Sequence, residues 1–434
     1  MKEFRLPKGW DFVSLYDLVD VIGGVSYAPE DITTSGVRII RGGNIQGNLV
    51  ELREDDVFLP EVYKNGDNTL HKGDVILVAS TGSVEALGRT ATVWDDMENV
   101  QIGAFLRILR PKFPKYAALI SAWLSSEHYF RYIRLVAKGT SINNISLSHI
   151  KGFKIPIPTD DILLTFTAFY NAVAKKININ RAIINNLEAL AKQIHDYWFV
   201  QFDYPNEEGK PYKSSGGKMV WNEKLKREIP EGWSVVSVND IADSYRGVSY
   251  TKEDLVNEKG GLLVLRGNNI QGNQLTFDRN VAYIPESFVS DDQKIRKGHI
   301  IMTMSSGSKE HVGKCVLFHH DAKETYGAFL TKFVPHQLCS NLLYNVFNSD
   351  YFKAKIKSIA SGTGINNLTN QTFDSVLIAM PPVNLLKRYD TYLTLLFDEV
   401  GNLQQNTWGL TKQRDELLPL LMNGQVSINP NYKE

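Results

Sequence analysis

The chain has 434 residues, of which 43% are hydrophobic and 22% charged, and its 48 basic and 48 acidic residues give a formal net charge of zero. This length exceeds what one hydrophobic core supports, so we expect about three domains, and the apolar content excludes general disorder. The balanced charge does not by itself indicate a nucleic-acid partner, because DNA is usually bound by an excess of lysine and arginine. Two cysteines are too few for a disulfide framework, and no apolar run is long enough to cross a membrane. We therefore expect a cytoplasmic protein.

The second half of the sequence repeats the first. Residues 7–27 match residues 230–250 at 11 of 21 positions, and four further motifs recur in the same order. They are RGGNIQGN at 41–48 and RGNNIQGN at 266–273, LHKGDVILVASTGS at 70–83 and IRKGHIIMTMSSGS at 295–308, GAFL at 103–106 and 327–330, and GTSINN at 139–144 and GTGINN at 362–367. Ordered matches at a nearly constant offset indicate a duplication, so we expect both halves to share one fold.

The first predicted domain covers residues 1–158 and is rich in β-structure. β-branched runs such as VRII at 37–40 and DVILVA at 74–79 lie between glycine, asparagine and proline residues and predict strands. Apolar residues at helical spacing predict one helix from Leu119 to Ala137. The prolines of IPIP at 155–158 mark the end of the domain.

A single long helix is predicted for residues 159–201, and a second for residues 383–424. The apolar residues of the first are Ile162, Phe166, Phe169, Val173, Ile177, Ile184, Leu187, Ala191, Ile194 and Trp198. Those of the second are Leu385, Tyr389, Tyr392, Leu396, Leu403, Leu410, Leu417 and Leu421. Steps of three and four form one apolar stripe per helix, so we expect the two helices to pack against each other as an antiparallel coiled coil. Asn180 and Asn406 interrupt the stripes, where they would either fix the helix register or remain solvated.

Residues 202–229 separate the two halves. They are polar and rich in glycine and proline, which predicts an extended linker. The second domain is predicted over 230–382, and residues 425–434 are predicted to form a tail. The fold class is therefore α+β, with two pseudo-symmetric β-rich domains separated by two long antiparallel helices.

Sequence patterns of catalysis are absent or misplaced. SSGGKMV at 214–220 lacks the first glycine and the final hydroxyl of a phosphate-binding loop. NPNY at 429–432 partly matches a DNA methyltransferase motif but lies at the end of the chain, and Glu208 and Lys210 have nuclease spacing but lie in the predicted linker. The histidines near Cys315 are not spaced as zinc ligands and do not recur in the first half. We expect a non-catalytic chain with no metal site and no cofactor of its own.

The repeated polar motifs are candidates for DNA contact. Arginine matches the guanine O6 and N7 acceptors, asparagine and glutamine match the adenine edge, and hydroxyl and backbone N–H groups suit phosphate. The candidates in the first domain are Tyr27, Arg41, Asn44, Gln46, Thr81, Ser83, Arg89, Arg134, Lys138, Thr140 and Asn143. Those in the second domain are Tyr250, Arg266, Asn269, Gln271, Ser306, Ser308, Lys309, Lys314, Lys357, Thr363 and Asn366.

A structural role is the alternative for several of these residues. Two domains that recognise different DNA sequences should differ at the residues that contact bases, whereas residues shared by both copies more often hold the fold. The recurring asparagines are therefore also interpreted as turn and fold residues, namely Asn44, Asn269, Asn143 and Asn366. Tyr27 and Tyr250 are equally compatible with core packing. Base contact then falls to the divergent loops between the motifs.

These residues together resemble the specificity subunits of type I restriction-modification systems. The resemblance rests on GVSY, RGNNIQG, SSGS, GAF and GTGINN, and on the junction sequence at 198–233, and it covers essentially the whole chain. It implies that each domain binds one half of an asymmetric bipartite site in double-stranded DNA. It also implies that the long helices dock two methyltransferase subunits, and that two restriction and translocase subunits join the complex. S-adenosylmethionine, ATP and magnesium then belong to those partners.

Two other functions remain open. One is a solitary sequence-specific DNA-binding regulator, which would not co-purify with a methyltransferase. The other is a DNA methyltransferase or nuclease with built-in recognition domains, which would bind a cofactor as an isolated chain.

Overall fold

The computed structural model divides the chain into two compact units, one of residues 1–178 and 408–434 and the other of residues 179–407. The described residues are 7–53, 55–82, 86–136, 143–271, 273–276, 281–306, 311–360, 367–422 and 425. Chain length had predicted about three domains. The structure has two units because each long helix is shared between them and forms no domain of its own.

The first unit contains a four-stranded and a three-stranded sheet within its described residues. Its strands are β1 (Asp11–Ser14), β2 (Val19–Gly23), β3 (Val37–Ile40), β4 (Ile45–Gln46), β5 (Leu49–Val50), β6 (Val57–Leu59), β7 (Val75–Val78), β8 (Ser80–Thr81), β9 (Thr90–Thr92), β10 (Val100–Ile102), β11 (Leu106–Pro111), β12 (Asn143–Asn144) and β13 (Lys154–Ile157). The four-stranded sheet has the order β2-β11-β7-β9 and is antiparallel. The three-stranded sheet has the order β10-β3-β6, with β10 parallel to β3. The strands predicted at VRII and DVILVA are confirmed as β3 and β7.

The helices of this unit flank the sheets. They are α1 (Leu15–Leu18), α2 (Ala117–Leu124), α3 (Glu127–Val136), α4 (Leu147–Gly152) and the first part of α5 (Asp160–His195). The prediction of one helix from Leu119 to Ala137 was wrong, because two serines end α2 and start α3. The Ser125 hydroxyl donates to the Ser121 carbonyl at 3.0 Å, and the Tyr129 amide donates to the Ser126 hydroxyl at 3.2 Å. Serine favours such local bonds over helix continuation.

The second unit repeats this plan. Its strands are β14 (Met219–Asn222), β15 (Arg227–Pro230), β16 (Ser234–Ser237), β17 (Ala242–Arg246), β18 (Leu262–Leu265), β19 (Ile270–Gln271), β20 (Gln274–Leu275), β21 (Tyr283–Ile284), β22 (Ile300–Thr303), β23 (Cys315–Leu317), β24 (Thr325–Tyr326), β25 (Leu330–Pro335) and β26 (Leu377–Met380). Its helices are α6 (Ser340–Asn348), α7 (Asp350–Ala360), α8 (Asn370–Asp374) and most of α9 (Val383–Met422). The sheet orders β17-β25-β22-β23 and β21-β18-β24 match those of the first unit strand for strand, including the one parallel pair. The predicted duplication is therefore confirmed at the level of topology.

The two long helices run antiparallel where both belong to the second unit. The Asn180 side chain donates to Asn406 Oδ1 at 2.9 Å, and His195 Nδ1 lies 3.3 Å from the Tyr389 hydroxyl. Because the partner number falls as the number along α5 rises, the directions are opposite. A π-helical turn from Asp196 to Val200 follows α5.

The predicted apolar stripes are correct in outline and shifted in part. Phe166, Ile177, Ile184 and Ala191 of α5, and Trp198 of the π-helical turn, are buried as expected. In α9, Tyr389 and Leu421 are buried as expected, but Tyr392 is 50% exposed. The buried side chains outside the predicted stripe include Leu386, Leu393, Phe397 and Val400. The face is rotated because α9 also packs on the globular part of its unit, where the Phe397 ring lies 5.4 Å from the Tyr344 ring. Because neighbours such as Leu385 and Leu386 are both apolar, the sequence pattern does not show which of the two is buried.

Residues 202–229 are packed and not extended, so the linker prediction was wrong. Met219–Asn222 and Arg227–Pro230 form an antiparallel hairpin. Phe202 and Tyr204 are buried in the core, and their rings lie 5.4 Å from that of Trp233. The polar composition of the segment had hidden a few aromatic side chains that bury enough area to order it.

Within the part of the chain that the structure describes, no helix is both long and apolar enough to cross a membrane.

Candidate nucleic-acid interface

The repeated motifs meet at one tight turn in the first unit. The turn is Gly103–Leu106, the first GAFL motif, and it is closed by a bond of 2.9 Å from the Leu106 amide to the Gly103 carbonyl. GVSY and ASTGS bond to this turn or to Ile102 beside it, the turn bonds to Ile40 directly before RGGN, and INN pairs with Ser80–Thr81 of ASTGS. The backbone bonds are Val25 N to Ile102 O at 2.8 Å, Gly103 N to Ile40 O at 2.9 Å, Ala79 N and Ser80 N to Phe105 O at 3.0 Å, and Ile145 N to Ala79 O at 2.7 Å.

The second unit builds the same junction around Gly327–Leu330, where the Leu330 amide donates to the Gly327 carbonyl at 2.8 Å. The corresponding bonds are Val248 N to Tyr326 O at 2.8 Å, Gly327 N to Leu265 O at 2.9 Å, Met304 N to Phe329 O at 2.9 Å, and Leu368 N to Met304 O at 2.9 Å. We call these two regions the motif junctions. Residues that are far apart in sequence thus meet in one region of each unit.

A glycine in each GVSY motif permits this assembly. A Cβ atom on Gly24 would collide with the Gly103 carbonyl, and a Cβ atom on Gly247 would collide with the Gly327 carbonyl. The repeated glycines are therefore required by a close backbone approach.

The last asparagine of RGGN at 41–44 and of RGNN at 266–269 stabilises the fold of its unit. Asn44 is 2% exposed; it accepts from the Arg41 amide at 2.8 Å and donates to the Glu51 carbonyl at 2.8 Å. Asn269 is 1% exposed and accepts from the Arg266 amide at 2.9 Å. Both amides are buried and engaged in local bonds, which supports the fold-holding alternative over DNA contact for Asn44 and Asn269.

The neighbouring candidates lie nearer the surface. Arg41 is exposed and donates to the Asp55 carbonyl at 3.2 Å, whereas Arg266 is half-buried. Gln46 and Gln271 are half-buried and make equivalent bonds, to the Gly43 carbonyl at 3.3 Å and to the Asn268 carbonyl at 3.1 Å. Their side chains stay within the motif, which leaves the arginines as the better candidates.

The remaining candidates divide by exposure. Tyr27 and Tyr250 are half-buried and pack on small apolar clusters that include Val37 and Val264 respectively, which supports core packing. Arg134 and Lys357 are exposed on α3 and α7. Half-buried candidates are Thr81, Arg89, Ser306 and Lys314. Outside the described residues lie Ser83, Lys138, Thr140, Ser308, Lys309, Thr363 and Asn366, as does the side chain of Asn143.

Two pairs of residues at the motif junctions were missed by sequence reasoning. Phe105 and Phe329, the aromatic residues of the GAFL motifs, are 69% and 68% exposed. Arg107 and Arg246 each donate to the carbonyl of the alanine before that phenylalanine, at 2.8 Å and 3.2 Å. The repetition of GAFL was the available signal for the phenylalanines, but an apolar residue beside a strand is usually assigned to the core.

Cys315 and the neighbouring His319 are buried in the protein. Burial raises the pKa of the Cys315 thiol to about 12 and lowers the pKa of His319 to about 4. Among the described residues, no group of three or more histidine, cysteine or acidic side chains could hold a metal ion. A thiol kept protonated in the core is a poor metal ligand.

Comparison with known proteins identifies the repeated unit. Residues 230–390 match the family model described as the type I restriction modification DNA specificity domain. This part of the chain is therefore similar to the DNA specificity domain of type I restriction-modification systems. The EcoKI specificity subunit of Escherichia coli is 31% identical to this chain over 208 residues, which are 46% of the chain and 44% of the relative, so the match spans under half of that protein. The MjaIX specificity subunit of Methanocaldococcus jannaschii is 21% identical over 445 residues, 98% of the chain and 95% of the relative.

Two solved structures of type I specificity subunits also resemble this chain. The S subunit from M. genitalium has 16% identity and a TM-score of 0.48, with 96% of this chain and 97% of that chain covered. The subunit from Thermoanaerobacter tengcongensis has 15% identity and a TM-score of 0.34, with coverage of 98% and 99%.

Proposed function

We propose that the chain is the DNA-recognition subunit of a type I restriction-modification complex. Each domain would bind one half of an asymmetric bipartite target in double-stranded DNA. The observation that supports this most directly is that the same five motifs build a polar junction in each unit, one of which lies in the matched specificity domain. Shared motifs provide a common frame, and the divergent loops that they enclose would give each domain its own half-site.

The long helices would set the distance between the two half-sites and dock the partner subunits. Each helix begins in one unit and ends in the other, and α5 and α9 bond through Asn180 and Asn406. Two bonded helices resist bending, so an antiparallel coiled coil fits the role of a ruler. Exposed apolar side chains on these helices, including Leu164 at 73% and Leu395 at 69%, would be covered by two methyltransferase subunits.

The chain itself would contribute recognition and not catalysis. S-adenosylmethionine, ATP and magnesium would bind the methyltransferase and the restriction and translocase subunits, two copies of each. A neutral recognition subunit can still act on DNA when basic partner subunits supply part of the charge that neutralises phosphate. This function places the chain in the cytoplasm with the host DNA.

DNA selection with the assembled complex tests the proposal. The full chain is co-expressed with the methyltransferase subunit of its host, purified by a tag on the chain, and mixed with a pool of random-sequence duplexes. We expect the methyltransferase to co-purify and the retained DNA to share one bipartite asymmetric motif. Retention of no common motif would contradict the proposal.

Two further outcomes of that experiment separate the alternatives. Selection of a motif by the chain with no methyltransferase bound would favour a solitary regulator. Binding of S-adenosylmethionine by the isolated chain, measured by calorimetry, would favour an enzyme with built-in recognition domains.

A further inference from the structure

The most exposed phenylalanines of the described chain occupy the same position in both copies. Phe105 is 69% exposed and Phe329 is 68% exposed, and each is the third residue of its GAFL motif. A single exposed aromatic side chain is common on protein surfaces. The same aromatic residue, equally exposed after two copies have diverged over most of their length, indicates that the exposure itself is retained.

The backbone under each phenylalanine is held in place. The turn around Phe105 is closed by the bond from Leu106 to Gly103, and the Phe105 carbonyl accepts from Ala79 and Ser80 at 3.0 Å. The Phe329 carbonyl accepts from the amide of Met304 at 2.9 Å. The ring is therefore presented outward from a rigid turn, with little backbone entropy to lose when it meets a ligand.

An arginine accompanies each phenylalanine, although it comes from different strands. In the first unit, Arg107 on β11 lies opposite Gly23 on β2, and it donates to the Ala104 carbonyl at 2.8 Å. In the second unit the corresponding pair is Thr331 on β25 opposite Arg246 on β17, and Arg246 donates to the Ala328 carbonyl at 3.2 Å. The arginine therefore lies on different strands in the two copies but donates to the equivalent alanine carbonyl in each.

We propose that Phe105 with Arg107, and Phe329 with Arg246, are paired DNA contacts, one pair in each domain. Each phenylalanine makes the apolar contact with a base in the half-site bound by its own domain, and the arginine bonds the adjacent phosphate. Phenylalanine packs on the thymine methyl group or against an opened base step, and arginine is a common phosphate ligand. This inference rests on the proposed function and adds the residues that would carry it.

Charge favours DNA over a protein partner at this surface. At a protein interface, a buried guanidinium needs an acidic or polar partner to offset its desolvation. DNA offers an apolar base surface and an anionic phosphate within a few ångströms of each other, which matches the combination of ring and guanidinium.

The test uses the full chain in complex with its methyltransferase and a duplex that carries the selected motif. Phe105→Ala and Phe329→Ala are compared with Phe113→Ala and Phe288→Ala, which remove phenylalanines that are 53% and 40% exposed outside the repeated motifs. We expect the first two variants to lower affinity about tenfold, and to relax base preference in one half of the motif each. The two controls should bind and select like the wild type, and thermal unfolding should be unchanged in all four.

The arginines give a second readout. We expect Arg107→Ala to reduce the slope of log affinity against log salt by about one, because one phosphate contact is lost, and Arg107→Lys to restore it. If Phe105→Ala and Phe329→Ala select DNA like the controls while the wild type selects a motif, the inference is wrong and the proposed function stands. Normal DNA selection with loss of the methyltransferase would also overturn it, in favour of a protein contact. If the wild type selects no motif, the proposed function fails and the inference with it.

Discussion

At the scale of single residues, the GVSY glycines determine whether the motif junction can form. Gly24 has no room for a Cβ atom beside the Gly103 carbonyl, whereas nothing lies within 4 Å of the Cβ position of its neighbour Gly23. We expect Gly24→Ala to lower the free energy of unfolding by about 1–3 kcal/mol, because two backbone segments must separate. Gly23→Ala is the matched control and should change stability by less than about 0.5 kcal/mol. Chemical denaturation measures both, and equal stability of the two variants would show that the close approach is not required.

Asn44 is expected to affect stability and not DNA preference. Its amide donates to Asp56 Oδ1 at 2.6 Å as well as to the Glu51 carbonyl, and Asp56 is itself buried. Removal of the amide in Asn44→Ala leaves these acceptors without a donor, so we expect a loss of about 1–3 kcal/mol. Gln46→Ala, which removes one half-exposed bond, should cost less. If Asn44→Ala has unchanged stability but selects DNA with a weaker base preference below its unfolding temperature, Asn44 contacts a base.

The candidate site was predictable as a set of motifs but not as a set of side chains. Repetition located GVSY, GAFL and the asparagine loops, because duplicated motifs stand out from a diverged background. It could not separate Asn44, which is buried, from Arg41, which is exposed, since both recur in the same motif. It also missed Arg107 and Arg246, because their equivalence depends on strand pairing and not on alignment.

At the scale of elements, the contribution of Asn180 to the stability of the helix pair can be measured. Asn180 is 1% exposed and donates to Asn406, while its own Oδ1 accepts no hydrogen bond from the described residues. We expect Asn180→Leu to leave the stability unchanged or to raise it by about 1 kcal/mol, because an unsatisfied buried oxygen is removed. The control is Ile184→Ala in the same stripe, which should lower stability by about 2–5 kcal/mol. A large loss for Asn180→Leu would show that the amide stabilises the helix pair and does more than select its register.

The regular elements were predictable where one physical pattern dominated. β3, β7 and both long helices follow from β-branched runs and from a helical stripe. The segment at 202–229 was not, because its order comes from Phe202, Tyr204 and Trp233 meeting in space, which polar composition conceals. The break between α2 and α3 was also missed, because it depends on two serine hydroxyls and not on apolar spacing.

At the scale of the whole molecule, the length of the two long helices can be changed without changing either motif junction. A heptad inserted after Asn178 in α5 and another after Thr407 in α9 would lengthen both helices by about 10 Å, near three base-pair rises. The phase of the stripe changes by only about 20° per heptad, so packing should persist. We expect both half-sites of the motif to be unchanged and the spacer between them to lengthen. An unchanged spacer with full activity would show that DNA or the partner subunits set the distance.

The central claim is that each domain recognises its own half of one DNA target. The measurement that tests it most directly is the methylated motif of host DNA, obtained by sequencing, after residues 230–382 are replaced by the equivalent region of a type I specificity subunit with a different target. The replaced region contains the second motif junction and leaves the first domain intact. We predict that one half of the methylated motif changes while the other half stays as in the wild type. A change in both halves, or in neither, would contradict recognition by two independent domains.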